Sequence, residues 1–186
     1  MGVSVLVMPL QTWLVGDFRT TWGAGEGTAS APRRRRSADD AERLREEFLA
    51  RLEPLLGRRP DWDEGVPARS ATAYSAHAFW LPFQLARRWS YRLKLPQLSA
   101  LESPQLWIPS SFESVFHLEA LWGEEGEVMI GSLPRLLSEL DLLIEALASE
   151  EAGDWSELTE GSAVARSLRE AVRSGLEHRV PVIVEG

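Results

Sequence analysis

The chain has a short apolar run rich in β-branched residues near each end, and these two runs restrict the fold most. Val3–Met8 is the first of them and is ended by Pro9, and Val180–Val184 is the second. Runs of this length and composition are typical of buried β-strands. Because mainly helical patterns lie between them, we expect the two terminal strands to pair within one sheet.

Two helices are predicted from capping residues and apolar spacing. Ser37 is placed to cap a helix that ends near Gly57, with Asp40 three residues after the cap. Ser132 is placed to cap another helix, in which leucine and isoleucine recur at i, i+3, i+4 and i+7 spacing as far as Leu147. Each pattern has one apolar face, so both helices are expected to pack against the rest of the core.

Other segments predict further helices and strands. Ala71–Leu95 predicts one helix kinked near Pro82, or two helices that meet there. Ser162–Glu177 predicts an amphipathic helix, whereas Gln11–Trp22 is aromatic and predicts irregular structure. Short apolar runs separated by turn residues predict a β-meander of three strands: Leu106–Ile108, Ser114–Leu121 and Glu127–Ile130.

These segments predict a single domain over residues 1–186, of the α/β or α+β class. Its mixed sheet is expected to have about four to six strands, including both termini and the meander, packed against amphipathic helices. A chain of 186 residues can bury a core that is stable without disulfides or metals. Residues 23–36 are rich in glycine and arginine and predict a flexible loop.

The composition excludes several kinds of site and indicates a compartment. The sequence has no cysteine, so it cannot form a disulfide, a thiolate metal site or a cysteine nucleophile. That suits a reducing compartment, and no apolar run reaches the roughly 18 residues of a membrane span. The N-terminus also lacks a signal-peptide pattern, so we expect a cytoplasmic protein without membrane contact. One lysine against 19 arginines, with no asparagine, is typical of a GC-rich bacterial genome.

The candidate catalytic residues are few and scattered. His77 and His117 are the histidines considered for acid–base work, and Asp17 with Arg19 could form a buried ion pair near the first strand. The sequence has neither a His-Glu-x-x-His nor a Gly-x-Ser-x-Gly motif. Structural roles are therefore expected for the histidines, with His77 buried. A hydrolase-like enzyme with a site assembled from these dispersed residues is an alternative.

No metal site or cofactor is predicted. Asp61–Glu64 offers clustered carboxylates, the oxygen ligands that Mg²⁺ and Ca²⁺ prefer, but it lacks the spacing of an EF-hand and favours a solvated turn. Gly23–Thr28 has the glycines of a phosphate-binding loop without its lysine. Arg33–Arg36 could contact nucleic acid. The net charge of −8 disfavours nucleic-acid binding, which is kept as a second alternative function.

The acidic residues are concentrated in one part of the sequence. Residues 105–160 hold 13 of the 28 acidic residues and a single base, Arg135, so this block has a formal charge of −12. Charge separated in this way can steer a basic partner. The competing interpretation is that a basic stripe on the Ser162–Glu177 helix docks on the block and cancels its field. That stripe consists of Arg166, Arg169 and Arg173.

Leu142 is the single residue that most suggests a binding surface. It lies opposite the apolar face of its helix, at 100° per residue. It is therefore covered by another segment, offered to a partner, or a single tolerated surface leucine. We therefore expect a non-catalytic bacterial protein that binds another, basic protein, either as an immunity or antitoxin-type protein or as an accessory subunit. The sequence does not define an oligomeric state. The residues predicted to contact the partner are Trp122, Glu124, Glu125, Glu127, Glu139, Leu142, Glu145 and Trp155.

Overall fold

The fold is built on a mixed β-sheet with helices on both of its faces. A computed structural model of the chain describes residues 2–16, 36–67, 70–100, 104–119, 127–149 and 155–186, without the side chain of residue 155. Within these ranges the sheet has six strands in the order β2-β1-β6-β3-β5-β4. The strands are β1 Gly2–Val7, β2 Ser70–Ser75, β3 Leu106–Ile108, β4 Phe116–Glu119, β5 Glu127–Ser132 and β6 Val182–Glu185.

The helices are amphipathic and lie in two layers. The described helices are α1 Leu10–Val15, α2 Ala38–Leu56, α3 Ala76–Arg88, α4 Leu133–Ser149 and α5 Trp155–Glu177. Alternate residues of a strand point to opposite faces of the sheet. Val5 therefore packs with α3, α4 and α5, whereas its neighbour Leu6 packs with α1 and α2. The structure confirms a single α+β domain with a mixed sheet of six strands.

The terminal strands pair as the sequence predicts. β1 and β6 are antiparallel neighbours near the centre of the sheet, with Val5 opposite Val184 and Leu6 opposite Ile183. The predicted ends of α2 are also confirmed. The Ser37 hydroxyl accepts a hydrogen bond from the Asp40 amide at 3.1 Å, and Gly57 ends the helix in the left-handed conformation with φ 69°.

The meander prediction is wrong in its strand order. β5 lies between β3 and β4, running parallel to β3 and antiparallel to β4. The three strands therefore form a hairpin, β4–β5, beside a parallel neighbour, β3. A parallel pair needs a crossover connection rather than a tight turn. The short local runs identified each strand correctly but contained no information about their order.

Two further segments differ from the prediction. The first part of Ala71–Leu95 is strand β2, because Ser70–Ser75 pairs along its whole length with β1. Pro82 lies inside α3 and does not divide it into two helices. Part of the segment expected to be irregular, Gln11–Trp22, is helix α1. Tertiary pairing and burial override weak local preference in these segments.

Candidate partner-binding surface

Glu139 does not lie on the surface, and its assignment to the partner-binding residues is wrong. Its side chain is buried, with 4% of the residue exposed. One carboxylate oxygen accepts hydrogen bonds from the amides of Gln97 and Leu98, both at 2.9 Å. The other accepts a longer bond, 3.1 Å, from the Gln97 amide. Glu139 lies about 100° around α4 from the centre of its apolar face, where the turn containing Gln97 covers it.

Gln97 links this buried carboxylate to the start of α4. Its side chain is fully buried, donates to the carbonyl oxygen of Glu113 at 2.8 Å and accepts from the Ser132 amide at 2.9 Å. The Ser132 hydroxyl donates to the carbonyl oxygen of Ser110 at 2.8 Å. Buried polar groups of this kind need such partners. The network holds the turn at Gln97, the end of β5 and the start of α4 together.

The environment of Glu139 changes its proton affinity. Burial raises its pKa from the ordinary 4.5 to about 7, against the opposing effects of the Leu98 and Gln97 amides and of the Arg135 charge. A raised pKa is common at catalytic sites. Here the described contacts of the carboxylate are main-chain amides inside the fold, so they give it a structural role. The sequence did not reveal this residue, since its partners lie 42 and 41 positions away.

Leu142 is exposed, and it lies in the middle of the solvent-facing side of α4. It is 46% exposed, whereas the leucines on the opposite side of the helix, such as Leu140 and Leu143, are fully buried. Glu145 lies one turn further along, is exposed, and has no ion pair among the described residues. We call this side the α4 outer face. It consists of the exposed residues Arg135, Ser138, Asp141, Leu142, Glu145, Ala148 and Ser149.

Arginines from outside the acidic block reduce its charge. Arg169 lies 3.3 Å and Arg173 3.9 Å from the carboxylate of Asp141, so part of the basic stripe does dock on the block. Two further arginines from outside the block pair with Glu119 and Glu157: Arg51 at 3.1 Å and Arg88 at 3.7 Å. The expectation that the carboxylates of the block face water without partners is therefore wrong for Asp141, Glu119 and Glu157.

The remaining predicted partner-binding residues fall into two groups. Glu127 is exposed on β5 and lies 3.3 Å from the Nδ1 atom of His117, at the edge of the sheet. The others cannot be placed: Trp122, Glu124 and Glu125 lie outside the described residues, as does the side chain of Trp155. α4 is therefore the part of the predicted surface that the structure defines.

The two candidate histidines, which the structure describes, do not come together. His117 is on β4 and His77 is exposed in the first turn of α3, so the prediction that His77 is buried is wrong. No hydroxyl group of the described chain hydrogen bonds to either imidazole. Asp17 and Arg19 lie outside the described residues. A general base acts when it is held near a nucleophile or substrate, and neither described histidine is held near a hydroxyl nucleophile.

The acidic turn Asp61–Glu64 is occupied by contacts within the chain. Asp61 pairs with Arg179 at 2.5 Å, and Glu64 pairs with Arg45 at 3.1 Å and accepts from the amide of Gln11 at 3.1 Å. Among the residues that the structure describes, no group of three or more histidine, aspartate and glutamate side chains is arranged to hold a metal ion. The turn therefore connects α1, α2 and the segment after α5. Glu64 is largely buried, so the prediction of a solvated turn is wrong for this residue.

None of the described helices is both long and apolar enough to cross a bilayer.

Comparison with known proteins adds no similarity from which a function could be inferred. Neither the family models nor the curated proteins nor the solved structures yield a match to this chain.

Proposed function

We propose that this chain is a non-catalytic bacterial protein that binds another protein through the α4 outer face. The observation that carries this proposal is the exposure of Leu142, the one large apolar side chain among the residues of the α4 outer face. Isolated apolar side chains are common on protein surfaces. This one is distinguished by its place on a helix whose other leucines are buried or partly buried and whose N-terminal turn is fixed by the Gln97 network.

The charges around Leu142 support a partner with a basic rim around an apolar pocket. Glu145 has no ion pair among the described residues, and Asp141 is half exposed although two arginines approach it. Carboxylates at the rim of an interface steer association and select the partner, whereas a few fully desolvated residues at its centre supply most of the affinity. Compared with the sequence prediction, the surface is smaller and depends more on Leu142 than on the acidic block.

We propose two cellular roles that fit these features. An acidic protein that covers a basic effector is of the immunity or antitoxin type, and one that joins a larger assembly is an accessory subunit. Both roles fit a bacterial cytoplasmic location, which the absence of cysteine supports. Contacts from Glu127, Trp122, Glu124, Glu125 and Trp155 would extend the surface beyond α4.

The test compares two exposed leucines that lie on different helices. The tagged protein and its Leu142→Ser and Leu55→Ser variants are used for affinity capture from native lysate at low salt. Leu55 is 56% exposed on α2 and serves as the matched control. We expect a stoichiometric partner with the unaltered protein and with Leu55→Ser, at least ten-fold less with Leu142→Ser, and weaker capture with Glu145→Arg.

Two results would overturn the proposal. One is the absence of any stoichiometric partner at low salt. The other is equal recovery of the partner with Leu142→Ser and with the unaltered protein. Circular dichroism of each variant verifies that a loss of binding is not a loss of folding.

A further inference from the structure

The two edge strands of the sheet differ in how well they are protected against pairing with another strand. β4, at one edge, has four residues, and two of them are charged or ionisable: His117 and Glu119. Glu119 also holds Arg51 against this edge. β2, at the other edge, has six residues, Ser-Ala-Thr-Ala-Tyr-Ser, with no charge, proline or glycine. Edge strands normally contain charged residues or proline, because their unpaired backbone groups would otherwise bind other strands.

β2 is held firmly in an extended conformation. It pairs with β1 over its entire length, from Ser70 opposite Val7 to Ser75 opposite Gly2. The Tyr74 hydroxyl forms a 2.7 Å hydrogen bond with the Ser167 hydroxyl on α5, and its ring packs 6.1 Å from that of Phe79. In the described part of the chain, no strand or loop makes backbone hydrogen bonds to the outer side of β2. The strand is therefore ordered before any partner arrives.

We propose that β2 pairs antiparallel with β2 of a second copy of this chain, so that one continuous sheet runs through a dimer. A two-fold axis perpendicular to the sheet keeps each residue on the same face in both copies. It can set Thr72 opposite the partner subunit's Thr72, and Ala71 opposite the partner subunit's Ala73. Ser70 then faces the partner subunit's Tyr74. The residues in these cross-strand pairs are small or polar, and none of them is charged.

Charge does not oppose a second copy at this edge, although the chain as a whole is acidic. Each chain has a net charge of −8, so two copies repel one another wherever their charged faces meet. β2 is a stretch where the two backbones can approach without placing like charges opposite one another. A cross-strand pair of like charges would destabilise the sheet, and this register has none.

The experiment measures the mass of the full chain in solution and the effect of lysines on the edge. Light scattering after size-exclusion chromatography at about 100 µM, a concentration suited to weak association, should give twice the mass of one chain. The double variant Ala71→Lys with Ala73→Lys places lysines opposite one another and should give the mass of a single chain. The matched control, Ala148→Lys with Ala163→Lys, adds the same charge on the exposed sides of α4 and α5 and should remain a dimer.

A second measurement does not depend on a variant that must fold. Hydrogen exchange of the unaltered protein is followed at several concentrations, and the amides of residues 70–75 should exchange at least five-fold more slowly at the highest. A monomeric mass at 100 µM, a dimer that survives the two edge lysines, or exchange that is independent of concentration would each overturn the proposal. Leu142→Ser should leave the dimer intact, so a failure here is distinct from a failure of partner binding through α4.

Discussion

The raised pKa of Glu139 predicts that part of the protein's stability is lost as the pH rises towards neutrality. In the folded chain this carboxyl has a pKa of about 7, whereas its ordinary value is 4.5. The folded state therefore holds the proton more tightly than the unfolded state between these two values. The stabilisation is fully present below pH 4.5 and is lost as the pH rises to about 7.

The size of the effect follows from the difference in pKa. One unit corresponds to about 1.4 kcal/mol, so the shift corresponds to about 3 kcal/mol of unfolding free energy. That is a large fraction of the total stability of a typical domain. Glu139 is 4% exposed as a residue, and about 3 kcal/mol is an upper limit, because any screening by solvent reduces it.

The assay compares the unaltered protein with Glu139→Gln. Glutamine has no ionisable group but keeps one oxygen to accept hydrogen bonds from the Gln97 and Leu98 amides. Urea unfolding is measured from pH 4 to pH 8 for both proteins. The difference in unfolding free energy, unaltered minus variant, should fall by about 1.4 kcal/mol per pH unit between the two pKa values and level off above about pH 7.5.

Glu145→Gln serves as the control for Glu139→Gln. Glu145→Gln, on the exposed side of the same helix, should change the unfolding free energy by less than about 0.5 kcal/mol at every pH. A difference curve for Glu139→Gln that is flat, or that rises with pH, would refute the reasoning. A rising curve would mean that the amides of Gln97 and Leu98 favour the ionised carboxylate more than burial opposes it.

Two other predictions concern the sheet and the arginine run. Gly131→Ala should lower the unfolding free energy by about 1–3 kcal/mol. A Cβ at this position would overlap the buried ring of Trp107, which lies opposite Gly131 in the β3–β5 pair. Unfolding in urea measures the change, and an unchanged midpoint would contradict the prediction. Changing Arg33–Arg36 to alanine tests nucleic-acid association by fluorescence anisotropy with labelled RNA at two salt concentrations. Our proposal expects negligible binding for both proteins, whereas steeply salt-dependent binding that the four alanines abolish would favour the nucleic-acid alternative.

Features of the fold that depend on neighbouring residues could be predicted from the sequence. The strand near each end follows from a run of β-branched residues, and the ends of α2 follow from Ser37 and Gly57. Strand β2 could not be predicted in this way, because Ser70–Ser75 has few residues with strong strand preference. Its conformation is a consequence of pairing with β1, which lies more than sixty positions earlier in the chain. The order of β3, β5 and β4 is likewise set by long connections.

The difference between local and long-range contacts also explains which parts of the candidate surface could be predicted. Leu142 was found because helical periodicity alone places it opposite a packed face. Glu139 occupies the flank of the same helix, where the outcome depends on whether a distant segment covers it. The turn at Gln97 does so and converts an expected surface acid into a buried hydrogen-bond acceptor.

The distribution of charge shows most directly why an acidic sequence block is not equivalent to an acidic surface. Asp141 meets two arginines of α5, and Glu119 meets Arg51 of α2, although none of these arginines belongs to the block. Exposed ion pairs of this kind add little to stability, but each one places a positive charge where an incoming basic partner would otherwise find only carboxylates. Long-range steering is therefore weaker than the formal charge of −12 implies. Because apolar contact does not depend on that field, the affinity of the proposed complex should depend on Leu142 much more than on salt.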